Sequence, residues 1–281
     1  MSTVAKNSYP TALFLAGAVL LAVTDTLPLG AALLTWLGAI KLLNAVAPKF
    51  PFARPIHWLY AMTFEALALC AANGGRFIPV RKNTTGQGQP ILLVHGYINN
   101  DSVWRFQKKR LEALGMGPIY TIKLGNPFKS IRTHIDTMKA KAETIAKETG
   151  RNDLILIGHS MGGLVSCLYT AQLSEPNRVT DLITIGSPFL GSPVARFFPG
   201  ANAREMEPGS ILLNEILQGI EKNKTTRFYH IGTKSDQLVI PGESAILSHH
   251  PHIIYEDLGH ASLTYSTRVT SQIHQWLTLR I

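Results

Sequence analysis

Cysteine is scarce in this chain: Cys70 and Cys167 are the only two in 281 residues and stand nearly a hundred positions apart. No metal-binding or redox cysteine motif is compatible with that spacing, so both read as buried thiols, with a mild lean to a reducing compartment. Acidic residues are also few, 18 against 27 Lys and Arg, which gives a net charge of +9. Such an excess suits nucleic acid, a membrane surface or simply a basic soluble protein. Zinc-finger spacing, an RNP-like aromatic motif and a basic helical run are all missing, and nucleic acid is therefore excluded from the expected partners. Charge of either sign almost vanishes between Asn7 and Ile40, where Asp25 stands alone.

That apolar stretch organises the N-terminal third. Thr11 to Val23 and Leu29 to Val46 read as two helices, with Thr24, Asp25 or Thr26 as caps and Pro28 in the first turn of the second. Each is near or below the roughly 20 residues that cross a hydrocarbon core, so a hairpin dipping into a bilayer and two full spans are both open. A signal peptide with Lys6 before its apolar core, and a hairpin packed on the domain, are the alternatives. Residues 1–90 carry seven basic side chains against Asp25 and Glu65, a balance that suits anionic lipid head groups and places both hairpin ends on the cytoplasmic side. Pro48, Pro51 and Pro55 end the helical pattern. Ile56 to Ala72 is apolar around His57 and Glu65, and reads as a helix lying at the interface or covering the core that follows.

Beyond the polar stretch Asn83 to Gln89, the pattern changes. Pro90-Ile-Leu-Leu-Val-His-Gly-Tyr97 is a buried strand feeding a loop, Ile131 to Thr149 is helical, and Leu154 to Ile157 is a second buried strand. That strand runs into Gly158-His159-Ser160-Met161-Gly162-Gly163, and a helical pattern resumes at Leu164. Strand, G-x-S-x-G, helix is the nucleophile elbow: the turn is so tight that small residues must flank the serine at two positions on either side. The serine hydroxyl stands at a helix N-terminus, where the dipole and free N–H groups favour negative charge. The backbone N–H of Met161 can donate to an oxyanion, with a second donor, the Tyr97 N–H, from the loop after the first strand.

A serine hydroxyl needs a base, and the base needs an orienting acid, in the chain order Ser, acid, His. His260 follows the strand Ile253 to Tyr255 and is the chosen base. His230 lies inside an apolar strand and reads as core, His249, His250 and His252 as solvated loop residues, and His274 as part of the last helix. Asp236 follows the strand Arg227 to Gly232, at the end where active sites of open α/β sheets collect, and is the chosen acid. Asp257 is its rival but reads as a cap of the His260 loop; Glu243 lies farther along. The side chains of His159 and Met161 read as packing groups.

With these residues placed, the chain resembles the lipase and esterase branch of the α/β-hydrolase superfamily over residues 88–281, in particular its bacterial triacylglycerol-lipase-like and inositol-deacylase-like groups. The likeness is carried by Leu93 to Tyr97, Gly158 to Gly163, Thr184 to Ser192, Glu205 to Ser210 and Gly232 to Asp236. It departs at Phe189-Leu190, where the family commonly has His-Arg or His-Lys. The resemblance implies an α/β-hydrolase fold with a mostly parallel central sheet, a catalytic triad of Ser160, Asp236 and His260, and an oxyanion hole from Tyr97 and Met161, with no cofactor and no metal. The expected organisation is a membrane-associated apolar helical hairpin at 1–50, an interfacial helix and linker at 51–87, and a catalytic domain at 88–281. A helical lid insertion is expected at 189–226, with an ordinary surface helix as its alternative. The expected activity is hydrolysis of lipid acyl esters at a membrane, the bacterial inner membrane on its cytoplasmic face. An acyltransferase or thioesterase with the same triad, or a tethered non-catalytic scaffold, are the other readings; oligomeric state is left open.

Overall fold

The short apolar runs become strands because they are buried on both faces, which is what a parallel sheet with helices on either side requires. In the computed structural model, which describes residues 36–42, 44, 53–75, 88–173 and 178–279, the strands are β1 (Ile91–Val94), β2 (Ile119–Ile122), β3 (Leu154–His159), β4 (Val179–Ile185), β5 (Arg227–Thr233) and β6 (His252–Tyr255). They pair in the order β2-β1-β3-β4-β5-β6, every pair parallel. Alternate residues feed opposite cores. Leu92, Val94, Leu156, Leu182 and Phe228 face one layer, and Leu93, Ile157, Ile183, Ile185 and Ile231 the other.

The helices in chain order are α1 (Ala53–Gly75), α2 (Arg105–Ala113), α3 (Ile135–Thr149), α4 (Met161–Ala171), α5 (Ala201–Glu205), α6 (Ile211–Lys222) and α7 (Thr267–Leu279). α3, α4 and α6 close the first core; α2 and α7 close the second. Local chemistry marks their ends. Ser210 caps α6 by accepting the Leu213 N–H at 3.2 Å, and α3 stops at Gly150, whose φ of 69° only glycine adopts at low cost. On the second layer Trp276 of α7 stacks on Tyr229 of β5, ring centroids 5.1 Å apart, and fastens the last helix to the sheet.

The chain passes from β1 outward to β2 and then returns past β1 to β3, so the direction of winding reverses between β1 and β3. Crevices at the carboxyl ends of strands on either side of such a reversal are where ligands bind in open α/β sheets. The loops after β1 and β3 carry Tyr97 and Ser160.

α1 lies on the catalytic domain. It packs against the 3-10 turns Ser262–Tyr265 and Asp101–Trp104, which agrees with the core-covering reading of Ile56 to Ala72. Residues 36–42 and 44 are helical and join the domain through Asn44, whose side-chain amide donates to Asp257 at 2.7 Å. The first apolar run, Thr11 to Val23, and most of the polar stretch 83–89 lie outside the described residues, and no helix among those described is long and apolar enough to cross a membrane.

Within the expected lid, α6 buries Leu212, Leu213, Ile216 and Ile220 against the nucleophile helix α4, so this part takes the ordinary-helix alternative. Its amphipathic spacing reflects attachment to the core. Truncating Trp276 to alanine removes the contact that fastens α7, and Trp276→Ala is expected to lower the unfolding free energy by about 3–5 kcal/mol. Urea titration followed by circular dichroism measures it; a change below about 1 kcal/mol would show that α7 is held elsewhere.

Candidate active site

The turn from β3 into α4 is as tight as the glycine spacing requires. Ser160 has φ 56° and ψ −129°, a left-sided conformation that a non-glycine residue holds only under constraint. The constraint is close backbone packing. A Cβ on Gly158 would lie 2.5 Å from the Gly163 backbone, and one on Gly96 would lie 2.8 Å from Ser160 Cβ. The Ser160 N–H is tied to the Ile185 carbonyl at 2.8 Å and its own carbonyl accepts the Gly163 N–H at 3.0 Å, so the bend is fixed at both sides.

Met161 opens α4 and is buried, which leaves its backbone N–H at the helix start beside Ser160. Its sulfur accepts the Asn202 amide at 3.3 Å, as expected of a packing side chain. Tyr97 lines the site: its hydroxyl donates to the Pro199 carbonyl, and its ring meets Phe128 and Phe198 edge-on. His95 holds the loop that carries it. The buried ring donates from Nδ1 to the Gly96 carbonyl at 2.9 Å and accepts the Leu124 N–H on Nε2 at 3.1 Å, and burial depresses its pKa, keeping it neutral.

The acid and base come from the loops after β5 and β6. Asp236 accepts the Leu238 and Val239 N–H groups on Oδ1, at 2.9 and 2.7 Å, and the His260 Nδ1–H on Oδ2 at 2.9 Å. With Nδ1 carrying a proton for Asp236, Nε2 of His260 is the atom left to act as base. Burial alone would lower the pKa of His260, but the charge and hydrogen bond of Asp236, joined by the charge of Glu65, raise it above its ordinary value. Asp236 and His260 thus meet as expected, and His260 shares a cavity wall with Ser160.

Three readings change. Asp257 does not cap the His260 loop; it pairs with Arg268 at 2.7 Å and takes the Asn44 amide. His250 is half buried and hydrogen-bonded to the fully buried His230 at 3.0 Å, because the loop before β6 folds back on β5, and its pKa falls to about 4. His159 also does more than pack. Its Nε2–H donates to the His260 carbonyl at 3.0 Å, and complete burial pulls its pKa down to about 3. Glu65 was not singled out by sequence: it lies 195 residues from His260, inside an apolar helix, yet its carboxylate enters the same site. Among the described residues no group of three or more His, Cys, Asp and Glu side chains is placed to hold a metal ion.

The cavity these groups line has a volume of about 360 Å³ and is walled mainly by apolar side chains, Pro188, Ala195, Phe198, Leu238 and Val239 among them. A site of this form can present an activated hydroxyl to an acyl group with an apolar chain. Asp236→Asn is expected to lower kcat on the order of 10⁴-fold. It should also move the acid limb of the kcat/KM profile to lower pH, since the carboxylate charge stabilises the imidazolium. In the unaltered protein that limb should lie above pH 6.5. Initial rates on a chromogenic ester across the limb decide it, and an unmoved limb in the variant would remove Asp236 from its role.

The family model of the PGAP1-like alpha/beta domain matches residues 129–199, which hold α3, the Ser160 turn and α4. The sn-1-specific diacylglycerol lipase ABHD11 of Danio rerio is 31% identical over 116 residues, 40% of this chain and 36% of that protein. A pimeloyl-acyl-carrier-protein methyl ester esterase of Vibrio cholerae is 29% identical over 103 residues, 37% of this chain and 38% of that one. The match thus spans less than two fifths of either curated relative. Among solved structures, the mature Bacillus licheniformis lipase BlEst2 superposes with a TM-score of 0.58 at 16% identity, covering 72% of this chain and 95% of that one, a likeness of fold. By its sheet and its serine turn the chain has an α/β-hydrolase fold, and the proteins it is similar to include lipases and esterases.

Proposed function

We propose that the protein is a serine carboxylic ester hydrolase that cleaves lipid acyl esters through an acyl-enzyme on Ser160. The observation that carries the reading is the pairing of a strained, buttressed serine with a buried His260 and Asp236 pair on one apolar cavity. His260 Nε2 takes the Ser160 proton as the hydroxyl oxygen adds to the ester carbonyl, and the oxyanion is received by the Tyr97 and Met161 N–H groups. The tetrahedral adduct collapses as His260 gives that proton to the departing alkoxide, which leaves as the alcohol. Water then adds to the acyl-enzyme with His260 again as base, and the carboxylic acid is released with Ser160 restored.

Lipid substrates are supported by the apolar wall and by what surrounds it. Ile98 and Leu238 are partly exposed while lining the cavity, and Leu190, Phe197 and Ile240 are exposed on neighbouring loops. An apolar rim with a nearly uncharged N-terminal stretch suits an enzyme held at a membrane, on its cytoplasmic face.

Three experiments test this. A fluorophosphonate probe should label Ser160, and Ser160→Ala should abolish labelling and lower turnover of acyl esters on the order of 10⁶-fold. Mass spectrometry of products from glycerides and phospholipids identifies the ester cleaved, and transfer of the acyl group to an added alcohol instead of water would make the protein an acyltransferase. Protein lacking residues 1–50 should leave the membrane fraction in cell fractionation, and an unchanged distribution would end the anchoring proposal.

A further inference from the structure

Among the described residues, Glu65 is the one side chain from outside residues 88–281 that enters the site. Its Oε1 accepts the Ala261 N–H at 2.7 Å and its Oε2 the Ser262 N–H at 2.9 Å, the two residues that follow His260. The carboxylate is buried, 7% exposed, and approaches so closely that a Cβ on Gly259 would stand 2.5 Å from Oε2. From α1, then, a single carboxylate clamps the backbone immediately after the catalytic base.

We infer that Glu65 is a positioning residue for His260: it fixes the loop that carries the ring and supplies a second negative charge beside Asp236, so that the N-terminal helix completes the active site. The inference rests on the serine-hydrolase reading above. A neutral group could cap two N–H donors as well, so the charge requires its own explanation. Both oxygens accept from N–H groups, which is the pattern of an ionised carboxylate. Burying that charge is costly unless an opposite one compensates it. The compensating charge is the imidazolium that forms on His260 in each half-reaction. Burial raises the pKa of Glu65, opposed by the Ala261 and Ser262 N–H groups and by His260.

The other titratable groups around the ring supply no positive charge. Asp236 stands at Nδ1 from the loop after β5, and His159, at the end of β3, has its ring 4.7 Å from that of His260 and is held neutral by burial. Arg268 of α7 is paired with Asp257, and the neutral Gln237 holds the His260 N–H at 3.1 Å. Glu65 is thus the only carboxylate other than Asp236 among the described groups that contributes to the elevated pKa of His260.

The test uses the full-length protein with p-nitrophenyl butyrate and compares Glu65→Gln with Glu65→Asp. Glu65→Gln removes the charge at nearly constant size, and the acid limb of kcat/KM should move down by about 0.5–1 pH unit. Glu65→Asp keeps the charge and draws it back by one methylene; its limb should stay while kcat falls about tenfold at unchanged KM. An acid limb that stays in place in Glu65→Gln would overturn the inference, whether or not the rate falls, because a purely structural clamp lowers activity equally at every pH. If Glu65→Gln gives no cooperative unfolding transition, Glu65→Asp decides, and a wild-type kcat in that variant overturns it. Wild-type protein that neither hydrolyses the ester nor takes the fluorophosphonate label would instead sink the serine-hydrolase reading, and this inference with it.

Discussion

The site depends on one close approach, that of the turn after β3 to the loop after β1. Gly158, Gly162 and Gly96 allow backbones to meet at distances a methyl group would forbid, and that contact holds Ser160 in a conformation a non-glycine residue otherwise avoids. The strain is sustained because each side of the bend is overdetermined, by β-sheet partners on one side and by the first turn of α4 on the other. A looser turn would let the serine relax into the ordinary helical region and turn its hydroxyl away from the helix start. Rigidity here is the condition for the electrostatics, since an oxyanion pocket made of backbone N–H groups works only when those groups are aimed beforehand.

Around that fixed point, three histidines divide the labour by protonation. His95 and His159 are buried without a carboxylate bonded to them, stay neutral, and serve as fixed donors that steer the Gly96 and His260 carbonyls. His260 is just as buried but faces two carboxylates, whose charge raises its pKa where burial lowers those of the other two. The same side chain becomes brace or base according to the charges around it.

How much of this was legible follows from the range of each interaction. Ser160, its glycines and the Met161 N–H lie within six consecutive residues, so a local pattern reveals them. Asp236 and His260 could be chosen because each follows a recognisable strand in a parallel sheet, where the carboxyl ends converge. Interactions that join distant segments without a pattern of their own were not legible. Glu65 looked like an isolated charge on an apolar helix because the N–H groups it serves are 196 and 197 positions away. Asp257 was read as a loop cap because its actual partners, Arg268 and Asn44, come from two other helical segments. The periodicity of α6 was legible, but periodicity says only that one face is buried; it does not say whether the cover is the core or a substrate.

These two kinds of residue differ in what they make possible. A motif confined to the strand-helix turn carries the chemistry common to a superfamily, and it functions wherever the sheet is assembled. A contact such as that of Glu65 ties the site to a helix outside the sheet and far from it in sequence. α1 reaches the His260 loop with its carboxylate and, on another face, lines a groove with Asn44 and Asp257, where the helical residues 36–42 and 44 join the domain. Any displacement of α1 would therefore be felt first at the backbone of Ala261 and Ser262, the two residues after His260. The structure joins α1 to the His260 loop through the two hydrogen bonds that Glu65 accepts, so the arrangement around His260 includes a residue from the N-terminal segment.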